Sequence, residues 1–129
     1  MTAGRTEQDS GQAASRPHYS PFVRAGGFIF VSGQLPLRPG RDSSLADAPL
    51  AAQAEQALRN LETVLADAGA GLAQVVKTTV YLSDIEDWGQ VDAIYARVFG
   101  ANRPARSVVP TGPLHFGFRI EVEAIAVAG

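Results

Sequence analysis

Hydrophobic and polar positions follow two different periods along this chain, and the changes of period mark its elements. The segment from His18 to Arg24 reads as extended, because Pro21 argues against a helix there. Phe28-Ile29-Phe30-Val31-Ser32-Gly33 is a short aromatic and β-branched run that ends on glycine, which predicts a strand. Ala25-Gly26-Gly27 between them is a turn signal, so the two segments predict a hairpin. Pro36, Pro39 and Gly40 then open a polar loop through about Ala48. Beyond Pro49 the period lengthens. Ala54, Leu58, Leu61 and Leu65 recur at helical spacing, with Ala57, Val64 and Ala68 beside them. Asp47 is placed to accept hydrogen bonds from the free amides at the helix start, and Pro49 suits the first turn. Glu55 and Arg59 form a favourable i,i+4 pair, and Gly69 is placed to end the helix.

Val75–Leu82 is rich in β-formers and predicts the next strand. A second helix is predicted from about Asp87 to Phe99, with Trp88, Val91, Ile94, Tyr95 and Val98 as its apolar stripe and Gly100 closing it. Ala105–Pro110 and Phe118–Val127 read as two further strands. The order β-β-α-β-α-β-β predicts an α+β fold: a mostly antiparallel sheet with two helices on one face. Residues 1–16, rich in Gly, Ser, Gln and Ala, read as a flexible N-terminal tail, and 17–129 as a single domain. Two helices cover only one face of a sheet, so the other is expected to meet a partner subunit.

Composition narrows the function. The 129 residues are 46% hydrophobic and 19% charged, an ordinary balance for one globular core. A net charge of -2 offers no basic footprint for nucleic acid or anionic lipid. Cysteine is absent, which excludes disulfides, thiolate chemistry and cysteine-ligated zinc. No apolar run approaches the roughly 20 residues that span a bilayer, so a soluble cytoplasmic protein without membrane contact is expected. Neither a Gly-x-x-x-x-Gly-Lys-Ser/Thr loop nor a Gly-x-Ser-x-Gly elbow is present. His18 and His115 are the only histidines and lack a spaced carboxylate, and the acidic group Asp84, Glu86, Asp87 and Asp92 suits a helix N-terminus better than a cation. No metal is expected.

Two charges stand out on strands otherwise too apolar to carry them: Arg106 and Glu121. Charges on core-forming elements are usually paired or put to use. An arginine facing a carboxylate across a small cavity suits a ligand with its own carboxylate. The arginine would hold that group by a forked hydrogen bond, and the glutamate would handle protons or water. On the last strand, Ile120, Val122, Ala124 and Ala126 point one way and Arg119, Glu121, Glu123 and Ile125 the other. If the apolar set meets the helices, Glu121 lies on the second face, where partial burial should raise its pKa.

A set of short motifs then occurs in a fixed order: Tyr19-Ser20, Arg24-Ala-Gly26, Phe30-Val-Ser-Gly-Gln34, Gln53-x-x-Gln56-Ala-Leu-x-Asn60-Leu61, Ala68-Gly69, Val76-Lys-Thr-Thr-Val80, Tyr95, Phe99-Gly100, Arg103-Pro-Ala-Arg106-Ser107 and Glu121-Val-Glu123-Ala-Ile-Ala126. In this ordered set the chain resembles the reactive-intermediate deaminases, the RidA/YjgF family, over about Pro17 to Val127. The resemblance implies a chorismate-mutase-like fold assembled as a homotrimer, with ligand sites in clefts between subunits. It implies hydrolysis of enamines and imines such as 2-aminoacrylate to 2-keto acids and ammonia, with no metal or organic cofactor. Arg106 matches the arginine that grips the substrate carboxylate, and Glu121 the glutamate that orients the attacking water. Tyr19 and Ser32 match cleft-lining residues, Gly33 a position of close backbone approach, and Val108 a backbone amide donor.

Four departures from the family pattern bear on the site. Val108 stands where cysteine is frequent, Asp92 where asparagine is common, and Pro110 where a polar residue is common. Leu114-His115, with Phe116 following, replaces a leucine-proline step. Asp92 and His115 thus enter as rim positions, and the changes at Pro110 and His115 reshape the cleft. The expectation is a cytoplasmic homotrimer of the 2-iminobutanoate/2-iminopropanoate deaminase type acting on small carboxylate-bearing substrates. Its alternatives are a pathway-specific deaminase of a larger unsaturated amino acid and a non-catalytic trimer that binds metabolites or partner proteins. Ribonuclease activity, attributed to some members, finds little support in a charge of -2.

Overall fold

The computed structural model of the chain describes the backbone of residues 6–8 and all of residues 17–128. Its elements are β1 (Thr6–Gln8), β2 (Phe22–Ala25), β3 (Phe28–Gln34), α1 (Leu50–Asp67), β4 (Val75–Leu82), α2 (Trp88–Phe99), β5 (Ala105–Pro110) and β6 (Ile120–Val127). They form one sheet in the order β1-β2-β3-β6-β4-β5. Every neighbouring pair is antiparallel except β4 and β5. That exception follows from connectivity: β4 reaches β5 through α2, and a helical crossover returns the chain in the same direction. The α+β architecture is the one the hydrophobic pattern predicts.

β2 and β3 form the predicted hairpin, with Ala25 opposite Phe28. Gly26 and Gly27 both have positive φ, 60° and 84°, as a two-residue turn that matches strand twist requires. The extended segment predicted from His18 becomes a strand only at Phe22. Before it, the Tyr19 amide turns back to the Pro17 carbonyl, and the Ser32 amide donates to the Pro21 carbonyl at 3.0 Å. The last strand likewise starts at Ile120 rather than Phe118. Thr6–Gln8, assigned by sequence to the tail, pairs with β2 as an edge strand. The rest of the tail, residues 1–5 and 9–16, lies outside the described residues.

Both helices pack on one face. From α1, Leu50, Ala54, Ala57, Leu58, Leu61 and Leu65 are buried, and from α2, Val91, Ile94, Tyr95 and Phe99. They meet Ile29 and Val31 of β3, Val80 and Leu82 of β4, and the apolar set Ile120, Val122, Ala124 and Ala126 of β6. The opposite face is open. Phe28 and Phe30 stand there beside Val127 and Ile125, and both rings are 42% exposed.

The start of α1 differs from the expectation. Asp47 ends a short 3-10 turn, Pro49 occupies the cap position, and no side chain caps the helix. What ties this end of the helix to the rest of the fold is Gln53, which is wholly buried. Its amide nitrogen donates to the carbonyls of Ala46 (3.2 Å) and Ala48 (3.1 Å), and its oxygen accepts the Arg119 amide at 2.9 Å. One side chain thereby joins the polar loop, the helix and the approach to β6. Gln53→Leu keeps the volume but strands two carbonyls and an amide. It should lower stability by about 2–4 kcal/mol in urea unfolding, whereas Glu62→Ala on the exposed face should cost under about 0.5 kcal/mol.

Candidate active site

Strand register decides where the two outlying charges go. Arg106 on β5 pairs with Thr78 on β4, which pairs with Ala124 on β6. Residues in one cross-strand row share a face, so Arg106 belongs to the helix face. Glu121 pairs with Tyr81 and belongs to the open face. Within one chain the sheet therefore separates the arginine from the glutamate. The expectation that they face each other across a small cavity fails for a single subunit, because the two residues fall in rows of opposite parity.

Glu121 lines a cleft of about 530 Å³ together with Tyr19, Ser32, Gly33, His115, Phe116, Arg41 and Glu123. A bulge in β3 builds one wall. Val31 pairs with Ala124 and Gln34 with Val122, so β3 carries one residue more than β6 over this stretch, at Ser32-Gly33. The Ser32 hydroxyl donates to the Ser20 carbonyl at 2.6 Å, which ties the Tyr19 segment to the bulge. Gly33 has a role more specific than close backbone approach. A Cβ placed there would collide with the Glu121 carboxylate, Oε2 and Cδ, so any larger residue would push that carboxylate aside. Burial raises the Glu121 pKa above the ordinary glutamate value of 4.5, the neighbouring Glu123 carboxylate raises it further, and His115 opposes both. This is the predicted direction. Burial, followed by Glu123 and Glu121, also pushes up the Tyr81 phenol.

Arg106 lies in a second cleft, of about 450 Å³, lined also by Asp92, Tyr95, Phe99, Asn102 and Arg103. Its guanidinium carbon sits 4.3 Å from the centre of the Trp88 ring and 4.6 Å from that of Tyr95. Nη1 donates to Asp92 Oδ1 at 3.0 Å. Asp92, expected at the rim, is thus the arginine's ion-pair partner. The stacking fixes the plane of the guanidinium, and the pair engages one of its nitrogens. Tyr95 is anchored in turn by a 2.7 Å hydrogen bond with the buried Thr78 hydroxyl.

Val108 packs its side chain against the core from β5, an edge strand. The Thr111 amide donates inward to the Leu82 carbonyl, so by alternation the Val108 amide points away from the sheet. The Pro110 nitrogen falls on the same outer side, where a strand tolerates proline. Arg119, expected on the open face beside Glu121, precedes β6 instead and forms a forked pair with Asp87, donating from Nη2 to Oδ1 at 2.8 Å and from Nε to Oδ2 at 3.2 Å. Asp84 accepts the Glu86 amide, as a turn-capping residue does. Among the described residues no group of three or more His, Asp or Glu is placed to hold a metal ion.

The structure thus brings Tyr19, Ser32, Gly33, His115 and Glu121 together, and separately Arg106 with Asp92. Sequence reasoning did not single out Arg41, Glu123 or Arg103 as cleft residues. Arg103 and Glu123 lay within the quoted motifs. Arg41 had no signal in a polar loop, yet it lines the Glu121 cleft from a backbone with φ of 59°.

The fold is shared with the proteins that this chain resembles. The family described as Endoribonuclease L-PSP matches residues 10–128. The 2-iminobutanoate/2-iminopropanoate deaminase of Rattus norvegicus is 45% identical over 86% of this chain and 80% of that protein. The chain belongs to the YjgF/RidA family. Members carry other names too: a RutC family protein of Pyrococcus horikoshii is 38% identical over 84% of this chain and 85% of its own length. Among solved structures of the family, E. coli TdcF with bound serine superposes with a TM-score of 0.80 at 29% identity, covering 89% of this chain and 91% of that one. Among the described residues no helix is long and apolar enough to cross a membrane.

The charges around Glu121 give two opposed expectations. Glu123→Gln removes a like charge and should lower the Glu121 pKa, whereas His115→Asn removes an opposing one and should raise it. Carboxyl-carbon NMR titration reads both signs. The native state holds the Glu121 proton more tightly than the unfolded chain does. Glu121 therefore costs stability as pH rises from the ordinary glutamate value through its raised one, and Glu123→Gln should reduce that loss.

Proposed function

We propose that this protein is an enamine/imine deaminase. It would hydrolyse small reactive 2-imino acids of the 2-aminoacrylate type to 2-keto acids and ammonia, in sites completed by two chains of a homotrimer. One observation carries the proposal: a rigidly stacked arginine and a pKa-raised glutamate occupy open clefts on opposite faces of one sheet. Each cleft holds half of what a carboxylate-bearing imine needs, and a neighbouring copy can supply the other half. The exposed rings of Phe28 and Phe30 on the open face favour such association. Relatives named as deaminases and a relative carrying bound serine, itself a carboxylate ligand, support the substrate class.

In this reading the chemistry starts when the enamine tautomerises, gaining a proton at C3 and losing one from nitrogen, so that C2 becomes an electrophilic imine carbon. Arg106 receives the carboxylate on donors that Asp92 leaves free, and the Trp88 and Tyr95 rings hold the guanidinium plane, which fixes C2 in place. The outward Val108 amide offers a further donor. Glu121, as a carboxylate, takes a proton from water as the water oxygen bonds to C2, and the electron pair of the C=N bond moves to nitrogen. Glu121 returns that proton to the nitrogen, and transfer of the carbinolamine hydroxyl proton to the amine then lets the C–N bond break as the C=O bond forms, releasing ammonia and leaving the keto acid. Imines already hydrolyse in water, so orientation and one proton-handling group are sufficient.

Imine generated in solution, with keto-acid and ammonia release followed against the uncatalysed rate, tests the reading. Glu121→Gln should slow turnover roughly 10²–10⁴-fold. Gly33→Ala, which pushes the carboxylate aside, should cost on the order of 10²-fold with the circular dichroism spectrum kept. Arg106→Ala should abolish acceleration while light scattering still reports a trimer. Because the two halves come from different chains, co-refolding Arg106→Ala with Glu121→Gln should restore about one site in four. Bound ligand without acceleration of any imine would favour the non-catalytic binding protein instead, and a stable monomer would remove the composite site.

A further inference from the structure

The Glu121 cleft carries more apolar surface than a three-carbon substrate needs. Phe116 has φ of 61° and ψ of 8°, a left-handed conformation that a bulky side chain rarely adopts. Such backbone persists only where the surroundings enforce it, and it clusters at functional sites. Here Phe118, wholly buried, meets the Phe116 ring edge-on at 5.9 Å, and His115 flanks it at 5.2 Å. The result is a ring in the cleft wall that remains 48% exposed. Tyr19, in the same wall, is 52% exposed.

The cleft also continues. Pro17, Tyr19, Gly33, Leu35 and Arg41 are shared with an adjoining cavity of about 270 Å³ that adds Pro21, Leu37, Val64 and Gln34, whose amide nitrogen is spent on the Ser32 carbonyl at 3.0 Å. The amide of Asn60 reaches this cavity but is spent: it donates to the carbonyls of Leu35 and Leu37 at 2.9 and 2.8 Å, and its oxygen accepts from Gln56. A mostly apolar annex whose asparagine is already satisfied takes hydrocarbon in preference to a polar chain.

We infer that Phe116 and the annex beyond Tyr19 form a side-chain pocket that directs this protein toward 2-imino acids with large apolar side chains, aromatic or branched. The inference rests on the deaminase reading and departs from its small 2-aminoacrylate-type substrate, naming a class with a larger side chain instead. The pocket would pack the side chain while Glu121 and the arginine of a neighbouring chain address the imine and the carboxylate.

Imines produced in situ from alanine, leucine and phenylalanine by an amino-acid oxidase test it. The wild-type kcat/KM should favour the phenylalanine-derived imine over the alanine-derived one by roughly tenfold or more. Phe116→Gly should collapse that ratio without lowering Tm, since glycine accepts the left-handed backbone, and Phe116→Tyr should retain the ratio. Val64→Trp, which fills the annex, should also reduce it. Hydrolysis of all three imines with no preference, or a ratio that Phe116→Gly leaves unchanged, would overturn the pocket while leaving the deaminase reading standing. Failure to accelerate any of the imines would overturn both.

Discussion

The insertion of β6 between β3 and β4 is the constraint on which the rest of the molecule depends. The last strand of the chain occupies the middle of the sheet, so both of its edges are committed to neighbours. Strict alternation then leaves no freedom of orientation. Ile120, Val122, Ala124 and Ala126 must enter the helix-side core, and Glu121 and Glu123 must face the other way. A slip of one residue would bury two carboxylates under the helices and expose four apolar side chains, which the core energetics forbid. The position of Glu121 is therefore a by-product of how the core closes.

The same logic places Arg106, through two further strands and with the opposite outcome. Its row is the Thr78–Ala124 row, so the guanidinium turns to α2 and settles between the rings of Trp88 and Tyr95. A charge there is acceptable because Asp92 neutralises it and an open cleft hydrates it. The sheet thus acts as a partition that keeps a cation and a carboxylate from forming a permanent internal pair. Had they shared a face, they would satisfy one another and leave nothing for a ligand. Keeping them apart within a chain leaves each charge open to its own cleft.

Local irregularity supplies the fine geometry. The extra residue at Ser32-Gly33 breaks the ladder opposite Glu123, and the missing Cβ of Gly33 receives the Glu121 carboxylate. Burial keeps that carboxylate above its usual pKa, Glu123 reinforces the effect, and the opposing pull of His115 does not cancel it. Phe116 and Arg41, the two described non-glycine residues with positive φ, both line this cleft. The strained positions of the chain converge where the core does not reach.

The elements from β2 onward, their order and the C-terminal ends of the helices were legible in the sequence, because they follow from local causes: the switch between periods of two and 3.6, the Gly26-Gly27 turn, and the glycines beyond α1 and α2, whereas β1 lay hidden in a polar tail. The two outlying charges were legible as well, since each interrupts an apolar run. Tertiary structure alone decided what those charges do. Opposite faces for Arg106 and Glu121 depend on register summed across three strands. The ion pair with Asp92, the Gln53 bridge and the fit of Glu121 against Gly33 join residues distant in sequence, whose contacts no spacing encodes. Short-range order is written residue by residue; the meeting of side chains from separate elements exists only once the sheet has closed around its last strand.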